Sequence, residues 1–281
     1  MRRDLWVLKS PKLNILVAYP YMSKSVIKML NENKNDIRFV LDSGAFTAWK
    51  SGNPIKLDDY CKFIESLPFK PWRYFTLDEI GDPEKSFKNY EIMLKRGFNP
   101  VPIFTRGEDL SMIDEYYKTS DVLGLGGLVG TQGNKGFVKG IMKHIGDRKV
   151  HWLGFTNKVF VGAYKPYMCD SSSWLGGLRY GSFTLYLGKG KTITCQRTDF
   201  SKKPPLNIIK AIKSYGFNPL DFAKESSWRG GESVNGKING QSVVRENLDI
   251  EKKLKTLKFS ACATSSALGM LIESYKKEKG I

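Results

Sequence analysis

Short apolar runs rich in Val, Ile, Leu and aromatic residues alternate with segments whose apolar positions recur at helical spacing. Such alternation is typical of βα units that build a parallel sheet. The pattern predicts strands over 14–18, 38–41, 74–77, 101–104, 122–125, 150–153 and 167–169. It predicts helices between them over 23–31, 57–67, 83–96, 111–117 and 135–145.

The pattern changes after residue 170. Two alternating runs surround Gly188-Lys189-Gly190 and predict a β-hairpin at about residues 180–200. Farther on we expect a helix over 204–215, an exposed polar loop over 226–240 and one or two closing helices over 249–279. Because no internal repeat or low-complexity linker interrupts the chain, residues 1–281 are predicted to form a single domain with this insertion.

Repeated βα units fit either a (β/α)8 barrel or a doubly wound nucleotide-binding sheet. The second fold needs a glycine-rich phosphate loop after its first strand, yet the segment Ala18-Tyr19-Pro20-Tyr21 contains no glycine. The glycines between Gly124 and Gly130 follow a later strand and have the wrong spacing for that loop. The sequence therefore favours an α/β fold of the (β/α)8 TIM-type barrel class, with a hairpin insertion after strand 7 and C-terminal helices.

The composition is that of a folded globular protein, with 41% hydrophobic and 26% charged residues. No stretch approaches the roughly 20 apolar residues that a membrane span needs, and the start Met1-Arg2-Arg3-Asp4 lacks the apolar segment of a secretory signal. We therefore expect a cytoplasmic protein.

The charge balance points to a polyanionic partner. The 45 Lys and Arg residues exceed the 28 Asp and Glu residues, which gives a formal net charge of +17. Such an excess attracts nucleic acid or an anionic membrane surface. No Lys-rich amphipathic segment carries a bulky apolar face, so we favour nucleic acid over a membrane. A basic protein without a specific partner is the alternative.

Metal ligands are scarce in the sequence. Cys61, Cys169, Cys195 and Cys262 are dispersed, with no C-x-x-C pair, and His144 and His151 are the only two histidines. The sequence therefore offers few ligands for a zinc site and few histidines for a catalytic triad. We expect carboxylates to carry any acid and base chemistry.

Three predicted strands end in aspartate, at Asp42, Asp78 and Asp170. In a barrel, the carboxyl ends of all the parallel strands meet at one face, so these carboxylates are expected to converge. Glycines after two further strands, Gly126-Gly127 and Gly154, allow a flat ligand to approach the backbone. Each aspartate alone is equally compatible with a helix cap or a turn. The set predicts an active site.

Four segments at these residues resemble the tRNA-guanine transglycosylases and their phage and bacterial DNA-modifying relatives, which are (β/α)8 barrels that exchange guanine for a 7-deazaguanine. In the family's order, Asp42-Ser43-Gly44-Ala45-Phe46-Thr47 is similar to D-S-G-G-[FY]-Q, Leu77-Asp78-Glu79 to F-D-E, Gly126-Gly127-Leu128 to G-G-L, and Met168-Cys169-Asp170 to M-F-D. The segment His151-Trp152-Leu153-Gly154 resembles the strand that precedes the last of these. The four segments span a little under half of the chain.

The resemblance implies a role for each matched residue. Asp170 matches the nucleophile that bonds to the sugar C1′, Asp42 the general acid and base, and Asp78 the carboxylate that binds the guanine-like edge. The rest of the implied base-binding set is Ser43, Phe46, Arg106, Gly126, Gly127, Leu128 and Gly154. An exchange through a covalent glycosyl intermediate needs no metal or redox cofactor, so none is expected.

The departures from the family favour DNA as the polymer. The C-x-C-x-x-C and histidine zinc site that lies beside the tRNA-binding region of the tRNA enzymes is absent, since the C-terminal part offers only Cys195 and Cys262. Arg106 takes the place of a glutamine that reads the base, and its several donors suit a nitrile or carbonyl substituent on the incoming base. Thr47 and Ala45 also differ from the family pattern.

We therefore predict a DNA-guanine transglycosylase whose co-substrate is a 7-deazaguanine base of the preQ0 type. A flipped or single-stranded nucleotide has to enter the barrel mouth. The expected nucleic-acid contacts are Trp174, Arg179, Lys189, Lys191, Lys202, Lys203 and Arg229. The alternatives are a tRNA-directed enzyme, an N-glycosylase that uses the same carboxylates, and a non-catalytic nucleic-acid-binding barrel.

Overall fold

A computed structural model describes residues 11–128, 135–228 and 233–281 of the chain. The strands are β1 (Leu13–Ala18), β2 (Ile37–Asp42), β3 (Arg73–Tyr74), β4 (Ile103–Phe104), β5 (Val122–Leu125), β6 (Lys149–Trp152), β7 (Met168–Ser171), β8 (Ser182–Tyr186), β9 (Thr192–Gln196) and β10 (Leu257–Cys262).

The α-helices are α1 (Lys24–Glu32), α2 (Ala45–Ser51), α3 (Leu57–Ser66), α4 (Pro83–Lys95), α5 (Ser111–Thr119), α6 (Lys135–Ile145), α7 (Lys158–Tyr164), α8 (Gly176–Tyr180), α9 (Leu206–Ser214), α10 (Val234–Leu254) and α11 (Ser265–Lys279). Short 3₁₀ helices cover Tyr19–Tyr21, Ser173–Leu175, Arg197–Phe200, Pro219–Ala223 and Glu225–Trp228. No helix in the described ranges is both long enough and apolar enough to cross a bilayer.

The described chain divides into two compact units. The first, which we call the barrel unit, comprises Asn14–Ser171 and Leu254–Ala263. The second, the hairpin unit, consists mainly of Ser172–Lys253 and Thr264–Ile281. The expectation of one domain over residues 1–281 stays a prediction.

Eight strands form one parallel sheet in the order β3-β2-β1-β10-β7-β6-β5-β4. The two ends of this order meet at a parallel bridge between Phe75 and Val101. There the amide of Val101 donates to the carbonyl of Tyr74 at 2.8 Å, and the amide of Thr76 donates to the carbonyl of Val101 at 3.0 Å. The α/β prediction of a (β/α)8 TIM-type fold is confirmed.

The barrel unit is held together by helix faces that pack on the sheet. Helix α6 shows the principle, because its buried residues Val138, Ile141, Met142 and Ile145 recur at helical spacing and share one cluster with Leu123 and other residues of β5 and β6. Helix α4 begins at Pro83 with the Asp82 carboxylate accepting from the amide of Lys85 at 2.9 Å, as its capping signals predict. Apolar helix faces of this kind hold in place the sheet whose strand ends carry the candidate site residues.

The predicted hairpin after β7 is present as the antiparallel pair β8 and β9, with Thr184 opposite Thr194. Polar side chains of α10 bond to the edge of β8 that β9 leaves free. The hydroxyl of Ser242 donates to the carbonyl of Thr184 at 2.7 Å and accepts from the amide of Tyr186 at 2.9 Å. These bonds satisfy backbone groups that a bare edge strand would leave unpaired.

The C-terminal third differs from the sequence prediction in two places. The stretch expected to be an exposed loop over 226–240 contains the start of α10, whose Asn235, Ile238 and Asn239 are buried. The polar residues of this stretch are typical of a loop, but in the structure they bond to strand β8. The side-chain carbonyl of Asn239, for example, accepts from the amide of Thr184. The stretch 249–279, where one or two closing helices are predicted, contains the end of α10 and the whole of α11. Between them lies β10, which the sequence did not predict and which pairs with β1 and β7 as the eighth strand of the parallel sheet.

Candidate active site

The three aspartates lie at the carboxyl ends of parallel strands in the barrel unit. Asp42 is the last residue of β2, Asp78 follows β3 in the loop before α4, and Asp170 is the third residue of β7. Since all eight strands run in the same direction, these ends share one face of the barrel. The negative charges of Asp78 and Asp170 both raise the pKa of Asp42, so both carboxylates lie close enough to Asp42 to act on it.

The carboxyl group of Asp42 is strongly perturbed. Burial is the main cause that raises its pKa from 3.8 to about 7, followed by the charge of Asp78 and then that of Asp170. The amide of Gly44 opposes this rise by donating to Oδ2 at 3.2 Å. A carboxyl group with a pKa near neutrality exists in both forms at physiological pH, which suits a group that must give and take protons.

Asp78 is oriented by Ser43, which directly follows Asp42 in the sequence and is fully buried. The Ser43 Oγ accepts from the amide of Ala45 at 3.3 Å, and its hydroxyl donates to Oδ1 of Asp78 at 3.0 Å. Burial raises the pKa of Asp78, and the hydroxyl of Ser43 partly offsets that rise. The β2 and β3 ends are thereby connected by a side-chain hydrogen bond.

Asp170 is buried and has one oxygen held by two donors. Its Oδ1 lies 3.0 Å from the amide nitrogen of Gly154 and 2.9 Å from Nε2 of His151. Within the part of the chain that the structure describes, no hydrogen bond reaches Oδ2. A carboxylate with one anchored and one free oxygen has the arrangement that a nucleophile requires.

His151 is a residue of the site that was not among the predicted site residues. Its ring is fully buried on β6 and packs against Phe75 at 4.9 Å and Phe259 at 6.3 Å between ring centroids. The available signal was a single polar residue in the apolar strand that precedes the one ending in Asp170. That signal indicates an unusual core position but does not reveal the partner.

Two glycines permit close backbone approaches around the strand ends. Gly44 has φ +79°, and a Cβ placed on it would lie 2.3 Å from Cδ of Pro20 in the turn after β1. Gly127 has φ +70°, and a Cβ there would lie 2.8 Å from Cβ of Arg106. Larger residues would collide with these neighbours and strain the backbone. Gly127 and Arg106, which are both predicted to bind the base, are therefore neighbours in the structure.

The remaining base-binding predictions fall into different environments. Arg106 is exposed, and its guanidinium lies 4.9 Å from the centroid of the Phe137 ring. Gly126 is buried, and Leu128 is fully buried within the hydrophobic core of the barrel unit. Phe46 is 61% exposed on α2, with its ring centroid 5.8 Å from that of Trp49, which is 60% exposed. Base contacts by these residues stay predictions.

A small cavity of about 220 Å³ lies beside Asp78. It is lined by residues of α2, of the chain after α2 and of the loop after β3, namely Ala45, Ala48, Trp49, Gly52, Pro54, Ile55, Leu77, Asp78, Glu79 and Ile80. Its walls combine apolar side chains with the two acidic residues Asp78 and Glu79. Such a lining suits a flat ring that places a polar edge against a carboxylate.

The predicted nucleic-acid contacts that the structure describes belong to the hairpin unit. The cationic residues Arg179, Lys189, Lys191, Lys202 and Lys203 are all exposed, whereas the Trp174 side chain is buried. Arg229 lies outside the described residues. Exposure makes the cations accessible to a polyanion, and their role in binding stays a prediction.

Comparisons of the chain with protein-family models, curated proteins and solved structures found no match. The resemblance of the motifs to the transglycosylases stays a prediction. Over the described residues, no group of three or more His, Cys, Asp or Glu side chains has the arrangement of a metal site.

Proposed function

We propose that this protein exchanges guanine in DNA for a 7-deazaguanine base through a covalent aspartyl-glycosyl intermediate. The observation that carries the proposal is the presence of three carboxylates at one barrel face, where burial, and after it the charges of Asp78 and Asp170, raise the pKa of Asp42 to about 7. The motifs that resemble guanine transglycosylases supply the substrate class.

In the first step, Oδ2 of Asp170 forms a bond to C1′ of the deoxyribose while the bond from C1′ to N9 of guanine breaks. The electron pair of the broken bond stays with the guanine, and the protonated form of Asp42 donates the proton that neutralises it. The free Oδ2 and the raised pKa of Asp42 support these two roles.

In the second step, the ionised form of Asp42 takes the proton from the ring nitrogen of the incoming 7-deazaguanine. That nitrogen then forms a bond to C1′, and the bond from C1′ to Asp170 breaks with its electron pair returning to the carboxylate. Two displacements on the same carbon retain its configuration, as in retaining glycosidases. Asp42 and Asp170 end the cycle in their starting states.

Asp78 is assigned to recognition of the base. Its carboxylate can accept hydrogen bonds from adjacent N–H groups on the guanine edge, and the Ser43 hydroxyl holds Oδ1 in a defined orientation. Exposed Arg106 is assigned to the substituent on carbon 7 of the 7-deazaguanine. The net charge of +17 supports binding to the phosphate backbone.

The test is incubation of the purified protein with radiolabelled 7-cyano-7-deazaguanine and either duplex DNA, single-stranded DNA or tRNA. We expect label in the DNA, and loss of that incorporation in Asp170→Ala. Asp59→Ala removes an exposed aspartate from the first turn of α3 and should leave incorporation unchanged.

Three results would contradict the proposal in different ways. Undiminished exchange in Asp170→Ala would remove Asp170 from the nucleophile role. Label found only in tRNA would reassign the polymer. Release of free guanine without incorporation of label would indicate hydrolysis by the same carboxylates.

A further inference from the structure

His151 and Asp170 form a buried pair across two neighbouring strands. On β6 and β7, His151 is the Cα partner of Met168, and Asp170 lies two residues farther along the strand, so both side chains point to the same side of the sheet. The side chain of His151 is fully buried and that of Asp170 is 10% exposed. The short contact is therefore shielded from solvent, where a hydrogen bond is electrostatically strong.

The direction of the hydrogen bond follows from the chemistry of its partners. The amide of Gly154 can only donate, so Oδ1 of Asp170 accepts that bond at 3.0 Å. Because an ionised carboxylate has only acceptors, Nε2 of His151 carries the proton in the 2.9 Å contact. Two donors therefore converge on Oδ1.

The other ring nitrogen indicates that the imidazole is neutral. Nδ1 of His151 is buried and has no hydrogen-bond partner among the described residues, and its surroundings include the rings of Phe75 and Phe259. An imidazolium would bury a charged N–H without an acceptor, which costs more than a buried lone pair. The neutral tautomer with the proton on Nε2 supplies the donor for the hydrogen bond to Asp170.

We propose that His151 is a positioning residue that acts through Asp170. With the amide of Gly154, it holds Oδ1 and selects Oδ2 as the oxygen that bonds to C1′. It also stabilises the carboxylate that departs when the intermediate breaks down, because the Nε2–H bond is stronger to a carboxylate than to an ester oxygen. This role rests on the proposed function.

The first test needs no substrate. The protein contains two histidines, so a long-range ¹H–¹⁵N spectrum of the labelled full chain contains two imidazole patterns. His144, which is partly exposed beside Asp114 at 3.2 Å, serves as the internal reference. We expect the His151 pattern of a neutral ring protonated on Nε2, and a shift of that pattern in Asp170→Ala. A proton on Nδ1, or an imidazolium at neutral pH, would overturn the proposal.

The second test is the exchange reaction of His151→Phe and His151→Gln. Phenylalanine keeps a planar ring but has no donor, so kcat should fall by about 10- to 100-fold while KM changes little. Glutamine supplies an amide donor, and we expect it to restore part of kcat. His144→Gln should behave as the wild type.

The two tests separate the inference from the function on which it rests. An unchanged kcat in His151→Phe, or a raised KM at constant kcat, would overturn the positioning role. Thermal unfolding of each variant shows whether lost activity reflects lost structure. If His151→Phe is unfolded, the kcat of folded His151→Gln decides whether a donor at this position supports the reaction. A wild-type protein without exchange activity would overturn the proposed function and the positioning role together, while the tautomer measurement would still decide the geometry of the pair.

Discussion

The raised pKa of Asp42 makes the convergence of the carboxylates measurable through protein stability. In Asp42→Asn a neutral amide of similar shape replaces the carboxyl group, so the variant does not lose stability through ionisation at this position. In the wild type the pKa is about 7 in the folded state and 3.8 is the ordinary value. The folded protein therefore binds more protons than the unfolded chain between these two values, and the free energy of unfolding falls as pH rises through that window.

The size of the effect follows from the two pKa values. Their difference corresponds to about 4 kcal/mol at about 1.4 kcal/mol per pKa unit. Asp42 is partly exposed to solvent, which screens its charge, so we expect about 2 to 4 kcal/mol. The contribution of the protonated carboxyl group is fully present below pH 3.8 and is lost above about pH 7.

The assay is urea unfolding of the wild type and Asp42→Asn at several pH values from about 4.5 to about 8.5, a range that covers most of the window. The difference in free energy of unfolding is plotted against pH. The wild type should lose stability relative to the variant as pH rises to about 7, after which the difference should be constant. Asp59→Asn, a substitution at an exposed position of α3, is measured in parallel as the control.

A second substitution tests the cause of the shift. Asp170→Asn removes a negative charge that raises the pKa of Asp42, so the pH dependence should move to lower pH in that background. A difference between wild type and Asp42→Asn that does not vary with pH would refute the reasoning. It would mean that Asp42 ionises like an isolated carboxylate and that the three aspartates do not converge.

Two further predictions concern folding. Gly44→Ala should lower the free energy of unfolding by about 2 kcal/mol or more, because the new Cβ would lie 2.3 Å from Cδ of Pro20 at φ +79°. Gly52→Ala is the matched control in urea unfolding, since it has φ +71° and no atom within 4 Å; an equal loss in both variants would refute the steric argument. Ser242→Ala should lower the free energy of unfolding by about 1 to 3 kcal/mol, because two backbone groups of β8 lose their hydrogen-bond partner. Ser201→Ala, at an exposed position, should change it little. Similar unfolding curves for both variants would contradict the role of Ser242 in covering the edge of β8.

Much of the barrel could be predicted because its signals are local. The strand and helix alternation up to residue 170 follows from spacing, and α4 carries its own capping residues. The placement of Asp42 and Asp170 at strand ends is equally local, since each closes an apolar run. Parallel strands in a barrel then place such residues on one face.

The C-terminal third could not be predicted in the same way. The strand β10 is a short run between two helical stretches, and only pairing with β1 and β7 makes it a strand. Helix α10 buries polar residues such as Asn239 and Ser242 because the free edge of β8 bonds to them. Propensity is a weak guide where tertiary contacts supply the partners.

The sequence by itself determined the order of βα units, the hairpin and the acidic residues at the strand ends, because periodicity and capping act over a few neighbouring residues. Only the tertiary structure decided that β10 completes the sheet, that the charges of Asp78 and Asp170 act on Asp42, and that His151 bonds to Asp170. Burial, Coulomb interaction and hydrogen bonding depend on distances between residues that are far apart in the chain. Those distances exist only once the sheet has closed.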